Sequence, residues 1–251
     1  MTSLNAILFD LGDTLVDLGE GRGSYEARLT ARVDQVYDVL AATGVAIPDR
    51  QAFCAALATG SEARYHAALA EQQGLSIYDV LRDLFDKMQI VANDGLLETC
   101  AAIYCQSGGF TGLRAGAREL LAELRERGLR LGVISNTLQP GRYLDQALTR
   151  RGIIEYFPVR VYSSEIGVAK PHPAIFRAAL DALEIPAGAA LYVGDRLNAD
   201  VAGAQGVGMK AVLIEVAHRP EHDPHVIPDA RIKELPELLD VLDVLPRLAG
   251  G

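Results

Sequence analysis

The amino-acid sequence predicts an α/β protein, a doubly wound parallel sheet interrupted by an inserted all-helical cap. Three observations carry that expectation. Short, wholly apolar runs recur along the chain, helical segments lie between them, and one long stretch near the N-terminus has helical periodicity and no strand-like run. Strands that alternate with helices imply parallel pairing through right-handed crossovers.

Ala6-Ile7-Leu8-Phe9 is the first apolar run, as expected of a central strand buried on both faces. Similar runs are Leu131-Gly132-Val133-Ile134, Val159-Arg160-Val161-Tyr162, Leu191-Tyr192-Val193 and Ala211-Val212-Leu213-Ile214. Between them, Ala117, Leu120, Leu121 and Leu124 share one helix face, and Gly128 follows where a left-handed C-terminal turn is wanted. Pro173 stands where a helix opens ahead of Ile175, Phe176, Ala179, Leu180 and Leu183, and His172 before it reads as a cap. From Leu18 to Gly108 the texture is helical: Val33, Val36, Tyr37 and Leu40 fall on one face, as do Leu81, Leu84, Phe85 and Met88. Gly44 to Pro48, Gly74-Leu75-Ser76 and Ala92 to Gly95 read as breaks between these helices. A discontinuous α/β core over 1–17 and 109–251, with a helical cap over 18–108, is the simplest organisation. Hinges are expected near Asp17-Leu18-Gly19 and Ser107-Gly108-Gly109, where glycine permits backbone rotation.

Composition narrows the function. A formal net charge of −9, with acidic and basic residues interleaved, leaves no concentrated basic face for a phosphate backbone, which argues against nucleic acid as a partner. Cys54, Cys100 and Cys105 match neither a disulfide framework nor a zinc site, and the last two read as small buried apolar residues. No basic-then-apolar leader precedes the first strand, and no apolar run approaches the ~20 residues of a bilayer span. The expectation is a cytoplasmic monomer or homodimer that meets no membrane.

Ligands of open α/β sheets bind beyond the carboxyl ends of the strands. Asp10, Gly12, Asp13 and Thr14 follow the first run, Ser135, Asn136 and Thr137 the second, and Lys170 stands in a loop beyond the third. Asp195 ends the fourth run, with Asp200 five residues on. Carboxylates, a hydroxyl and an ammonium thus converge on one sheet edge. Asp10 and Asp195 are hard oxygen ligands suited to Mg²⁺. Lys170 and the Ser135 hydroxyl suit phosphate oxygens, with Asn136 and Thr14 as further substrate contacts. A carboxylate beside a metal and a phosphate is also a covalent nucleophile.

Four segments in this order resemble the motifs of the haloacid dehalogenase superfamily: Phe9-Asp10-Leu11-Gly12-Asp13-Thr14-Leu15-Val16-Asp17, Ile134-Ser135-Asn136-Thr137, Lys170-Pro171-His172-Pro173, and Gly194-Asp195 through Asp200 to Ala204. The helical cap between the first two is similar to that of the phosphoglycolate phosphatase and haloacid dehalogenase branch. The resemblance implies a Rossmann-like core and hydrolysis of a small phosphorylated metabolite through an aspartyl-phosphate on Asp10. It implies Mg²⁺ held by Asp10, Asp195 and the backbone carbonyl of Gly12, with Asp200 steadying the fourth motif near the metal or through the loop. Ser135 and Lys170 would bind the phosphate, and Lys170 would also position the carboxylates.

One position departs from that pattern. Phosphatases of the superfamily carry a second Asp two residues after the nucleophile as general acid and base; here it is Gly12. Asp13 aligns with a position that is not catalytic. The expected consequences are slow turnover, preference for good leaving groups, or an acid from elsewhere. The alternatives are a 2-haloacid dehalogenase, which attacks through the same Asp without metal, and a phosphate-binding regulatory protein with little turnover. A phosphonate-cleaving enzyme would need an amine from the cap, where Lys87 is the available lysine. His218, His222 and His225 share a polar, Pro-containing loop and read as solvated, as do Arg22, Arg28 and Arg32 on a cap helix, with contact to an anionic substrate as the other reading.

Overall fold

The computed structural model describes residues 4–18, 22–105 and 111–248. In chain order the elements are β1 (Ala6–Phe9), β2 (Val16–Asp17), α1 (Arg22–Ala42), α2 (Arg50–Ala70), α3 (Ile77–Lys87), α4 (Asp94–Cys105), β3 (Gly112–Leu113), α5 (Ala117–Glu126), β4 (Arg130–Ser135), α6 (Gly141–Arg150), β5 (Val159–Tyr162), α7 (Ser163–Ile166), α8 (Pro173–Ala182), β6 (Ala190–Gly194), α9 (Gly203–Gly206), β7 (Lys210–Ile214), β8 (Ala230–Ile232) and α10 (Leu238–Leu248).

The main sheet has the order β5-β4-β1-β6-β7-β8, with every pairing parallel. Side chains alternate between its faces with the period of two that a strand imposes. Ile7, Phe9, Val133 and Val193 pack with Leu120 and Leu124 of α5 and Leu144 of α6. Leu8, Ile134, Tyr192 and Leu213 pack with Ile175, Phe176 and Leu180 of α8. Burial on both faces is why these runs have no polar alternation. From β1 the chain proceeds to β4 and β5 on one side and to β6, β7 and β8 on the other, so the switch point lies around β1.

Local signals act where expected. His172 caps α8, its Nδ1 accepting from the Ala174 amide at 3.2 Å, and Gly128 takes φ +80° beyond α5. Asp94 and Gly95, read as part of a break, instead open α4: the Asn93 side chain accepts from the Leu96 amide at 2.8 Å and starts the helix early. The antiparallel pair β2–β3 and the edge strand β8 were not foreseen, being too short for periodicity to register.

Helices α1 to α4 lie between β2 and β3 and build a core of their own around Val33, Val36, Leu40, Phe53, Leu81 and Phe85. Cys100 and Cys105 are buried within it. The α2–α3 turn docks on the α/β part. The Ala169 amide donates to the Gln72 carbonyl at 2.9 Å, Gln73 bridges Val168, and the Ile77 amide donates to the Leu138 carbonyl at 2.8 Å. A Cβ at Gly74 would lie 1.8 Å from the Ser163 carbonyl oxygen, so this approach of two backbones requires glycine. Of the expected hinges, Asp17 and Leu18 are described, while Gly19, Ser107, Gly108 and Gly109 lie outside the described residues.

Candidate active site

Strands β1, β4 and β6 end side by side, and each delivers a polar side chain to one cavity of about 630 Å³: Asp10, Ser135 and Asp195. Lys170 enters from the loop before α8. Its ammonium donates to Asp10 Oδ1 at 2.6 Å, Asp200 Oδ1 at 2.6 Å and the Tyr192 hydroxyl at 2.9 Å. Asn136 fixes that loop, since its Nδ2 donates to the Lys170 carbonyl at 3.0 Å and its Oδ1 accepts from the Lys170 amide at 2.8 Å. The Asn136 amide, expected among the substrate contacts, is thus engaged in positioning the lysine.

The fourth strand's loop is built for the same purpose. After Gly194 the chain makes a π-helical turn over Leu197–Ala202, which brings Asp200 back over the strand end. Asp200 Oδ2 accepts from the Arg196 amide at 2.9 Å while its other oxygen meets Lys170. A Cβ at residue 194 would sit 2.4 Å from Asp200 Cγ, so Gly194 leaves the space this carboxylate occupies. Thr14, wholly buried, lies with its Oγ1 3.5 Å from Asp195 Oδ1 and so faces that carboxylate, although it was expected at the substrate.

Three buried carboxylates with one buried ammonium leave negative charge uncompensated. Burial, reinforced by the charges of Asp200 and Asp195 and only partly offset by Lys170, lifts the Asp10 carboxyl to about 7. Burial together with the Asp200 charge lifts Asp195 to about 6 against the opposing pull of Arg219. For Lys170 burial acts the other way, but Asp10 and Asp200 outweigh it and hold the ammonium well above its ordinary range. Oxygen atoms of Asp10, Asp195 and Asp200 lie within 4.8 Å of one another, the one such cluster of acidic, His or Cys ligands among the described residues. A hard cation fits this donor set and would relieve its excess charge. The β1 turn uses the carbonyls of Leu11, Asp13 and Val16 in its own hydrogen bonds and not that of Gly12, which lines the cavity.

A match to the family described as haloacid dehalogenase-like hydrolase spans residues 4–208. The chain belongs to this family. It is 46% identical over 97 residues to a glyceraldehyde 3-phosphate phosphatase of Pyrococcus abyssi, covering 39% of this chain and 40% of that protein. Identity to a phosphoserine phosphatase of Thermus thermophilus is 37% over 122 residues, covering 49% of this chain and 48% of the relative. The chain thus spans about half the length of these curated relatives. Among solved structures, a phosphatase of the family from Thermococcus onnurineus superposes with TM-score 0.60 at 26% identity, covering 95% of this chain and 98% of that one. A 2-haloacid dehalogenase from Pseudomonas syringae superposes with TM-score 0.68 at 24% identity, over 96% of this chain and 99% of that one, and speaks for the fold alone.

In this member of the family, residue 12 is a glycine without left-handed backbone, and a Cβ there would have the Leu18 side chain as its nearest neighbour, with Cδ1 at 3.0 Å. Asp13 does carry the left-handed conformation, φ +55°. Its carboxylate accepts from the Leu18 amide at 3.4 Å and faces Arg219 and His218 at 3.7 and 3.6 Å, while Arg114 Nη1 grips its carbonyl. Asp13 is occupied as an acceptor. His218 is 42% exposed and joins no cluster of metal ligands among the described residues. Lys87 pairs with Asp83 on the surface and does not line the cavity.

Three residues of the site had no role in the sequence reading. Tyr192 sits in an otherwise apolar strand, and the need of a buried hydroxyl for partners was the available signal. Arg219 lies in the loop of His218 and His222; it forms a close ion pair with Asp195 and bonds Glu221, whose carboxylate accepts from the Leu197 amide at 3.0 Å. Arg114 clamps the β1 turn from the loop after β3. The expectation of a solvated arginine face fails at Arg32, which is 8% exposed, and at Arg28, half-buried with its guanidinium on the Leu18 carbonyl at 2.6 Å. The side chain of Arg22 lies outside the described residues.

Proposed function

We propose that this protein hydrolyses phosphomonoesters of small metabolites in a Mg²⁺-dependent reaction with Asp10 as nucleophile. The observation that carries this reading is the state of Asp10: Oδ1 is held by Lys170, and Oδ2 takes no hydrogen bond from any described residue at the wall of the cavity. One oxygen is oriented and the other is left to attack phosphorus. The names of the relatives, with glyceraldehyde 3-phosphate and phosphoserine as three-carbon substrates, support a small phosphorylated metabolite.

In this reading Asp10, Asp195 and the Gly12 carbonyl hold Mg²⁺, with Asp200 beside them; the cation supplies charge neutralisation for the phosphoryl group. Lys170 and Ser135 contact phosphate oxygens. Oδ2 of Asp10 attacks, the ester oxygen leaves with its bonding pair, and an aspartyl-phosphate forms that water then opens. No carboxyl at residue 12 protonates the departing oxygen, so esters of poorly acidic alcohols react slowly. Helices α1 to α4 act as a lid on the cavity, whose wall includes Tyr65, His66 and Leu69 of α2.

A 2-haloacid substrate is the second reading. The Asp195–Arg219 pair favours it, because the chain's own cation neutralises a carboxylate that a metal would otherwise use. Both readings are tested by assaying phosphomonoesters and 2-haloacids with and without Mg²⁺. Phosphate release that needs Mg²⁺ is the expected result. Metal-independent halide release with no phosphatase activity would overturn it.

A further inference from the structure

We infer that Arg32 is a recognition residue for a second anionic group of the substrate, a carboxylate, so that the enzyme acts on phosphorylated acids rather than on neutral phosphoesters. This inference rests on the proposed phosphatase reading and names its substrate class.

Among the described residues, two cations are buried, Lys170 and Arg32. Lys170 is matched by two carboxylates. Arg32 is 8% exposed, makes no ion pair with any described residue, and lines the same cavity as Asp10. Its Nε donates to the Arg28 carbonyl and its Nη1 to the Tyr104 carbonyl, both at 3.1 Å, and its ring neighbour is Tyr104, with Cζ 5.7 Å from the centroid. These contacts lock the guanidinium in place near the C-terminal end of α4. They leave Nη2 buried without a partner among the described residues.

A desolvated guanidinium without a counter-anion is costly unless something supplies one. Among the described residues none does so. The carboxylates of the cavity wall, Asp10, Asp13, Asp195, Asp200 and Glu221, pair with Lys170, Arg219, Arg196 or His218. A ligand that places phosphate at Lys170 and Ser135 and a carboxylate at Arg32 fills both anion positions. A guanidinium with fixed geometry selects the planar carboxylate over an isosteric amide, whose nitrogen would turn a donor towards a donor.

Hydrolysis-resistant probes separate recognition from turnover. Phosphonoacetate, 3-phosphonopropionate and 4-phosphonobutyrate, each with its carboxamide, are titrated calorimetrically into the wild-type protein, Arg32→Gln and Arg32→Lys. For the chain length that spans the cavity, the wild type is expected to bind the acid about tenfold to a hundredfold tighter than the amide, the equivalent of one charge-assisted hydrogen bond. That preference should vanish in Arg32→Gln and persist, reduced, in Arg32→Lys; should the Gln variant not fold, the reduced preference in the Lys variant carries the test. Equal binding of acid and amide by the wild type overturns the inference, and so does a preference that survives unchanged in Arg32→Gln. An acid preference in a protein that hydrolyses no phosphoester leaves Arg32 as assigned and removes the phosphatase reading. Phosphoester hydrolysis without acid preference does the reverse, and binding of no probe removes both.

Discussion

The floor and the roof of the cavity differ in how their polar groups are satisfied. On the floor, Lys170, Asp10, Asp200 and Tyr192 form a closed set of hydrogen bonds, and Asn136, Thr14 and the Arg196 amide hold its edges. The buried side-chain atoms without partners among the described residues are Arg28 Nε, Arg32 Nη2 and Gln139 Oε1. None belongs to the floor. Groups that must be pre-arranged for reaction are over-determined by their neighbours; of the three incomplete ones, Arg32 and Gln139 line the cavity and Arg28 does not. The floor also keeps its conflict internal, with carboxylates raised by burial and by one another, and that conflict is what a cation would resolve.

Substitutions on the floor should therefore be severe. Asp10→Asn removes the attacking oxygen and is expected to lower kcat by about 10⁴-fold or more with the fold intact, read from phosphate release beside a melting curve. Residual turnover within tenfold of wild type would place the nucleophile elsewhere. Lys170→Met leaves Asp10 and Asp200 buried without their cation, and a loss of roughly 3–5 kcal/mol is expected in urea unfolding. The penalty should be larger at pH 8 than at pH 5, because protonated carboxyls no longer need the ammonium. A neutral effect at both pH values would show that the floor is less tightly coupled than its geometry states.

Gly12 lies between the two regions and sharpens the comparison. Its φ lies outside the left-handed region, and a Cβ there presses on the flexible Leu18 side chain, with Cδ1 at 3.0 Å. Gly12→Asp should accelerate hydrolysis of alkyl phosphates by up to ~10² and help p-nitrophenyl phosphate much less, because nitrophenolate leaves without a proton. Asp13→Asn belongs beside it: if that change alone abolished alkyl phosphate hydrolysis while folding and Mg²⁺ binding persisted, the acid would be Asp13 and Gly12 would be no loss.

The smallest expected effect is a pH dependence. Asp10 rises from 3.8 to about 7 and Asp195 from 3.8 to about 6 in the folded, cation-free chain. The folded state then holds more protons than the unfolded one across this window, so stability is greatest below pH 4 with respect to these groups and declines as pH rises through 6 to 7. Melting temperature in a chelator should fall by a few degrees over that range, and added Mg²⁺ should recover more of it at pH 8 than at pH 5.5, since binding displaces the protons. A Mg²⁺-induced rise that is the same at both pH values would mean the cation does not bind at these carboxylates.

Much of this protein was legible along the chain because its elements are local. Parallel strands buried on both faces announce themselves as apolar runs, and the rule that ligands sit beyond their carboxyl ends picked out Asp10, Ser135, Lys170, Asp195 and Asp200. The pairs β2–β3 and β7–β8 escaped because two or three residues carry no periodicity.

What periodicity and motif order determined, then, was which elements exist and which polar residues stand at their ends, since both follow from near neighbours in the chain. Only the tertiary structure decided which polar groups would find partners. The contacts Arg219 to Asp195, Tyr192 to Lys170, Asn136 to the Lys170 backbone and Arg32 to Tyr104 link residues 24, 22, 34 and 72 positions apart. Whether a charged side chain is solvated, paired or buried alone depends on what the fold brings beside it, and Arg32, read along its helix as solvated, is instead enclosed with one nitrogen unmatched.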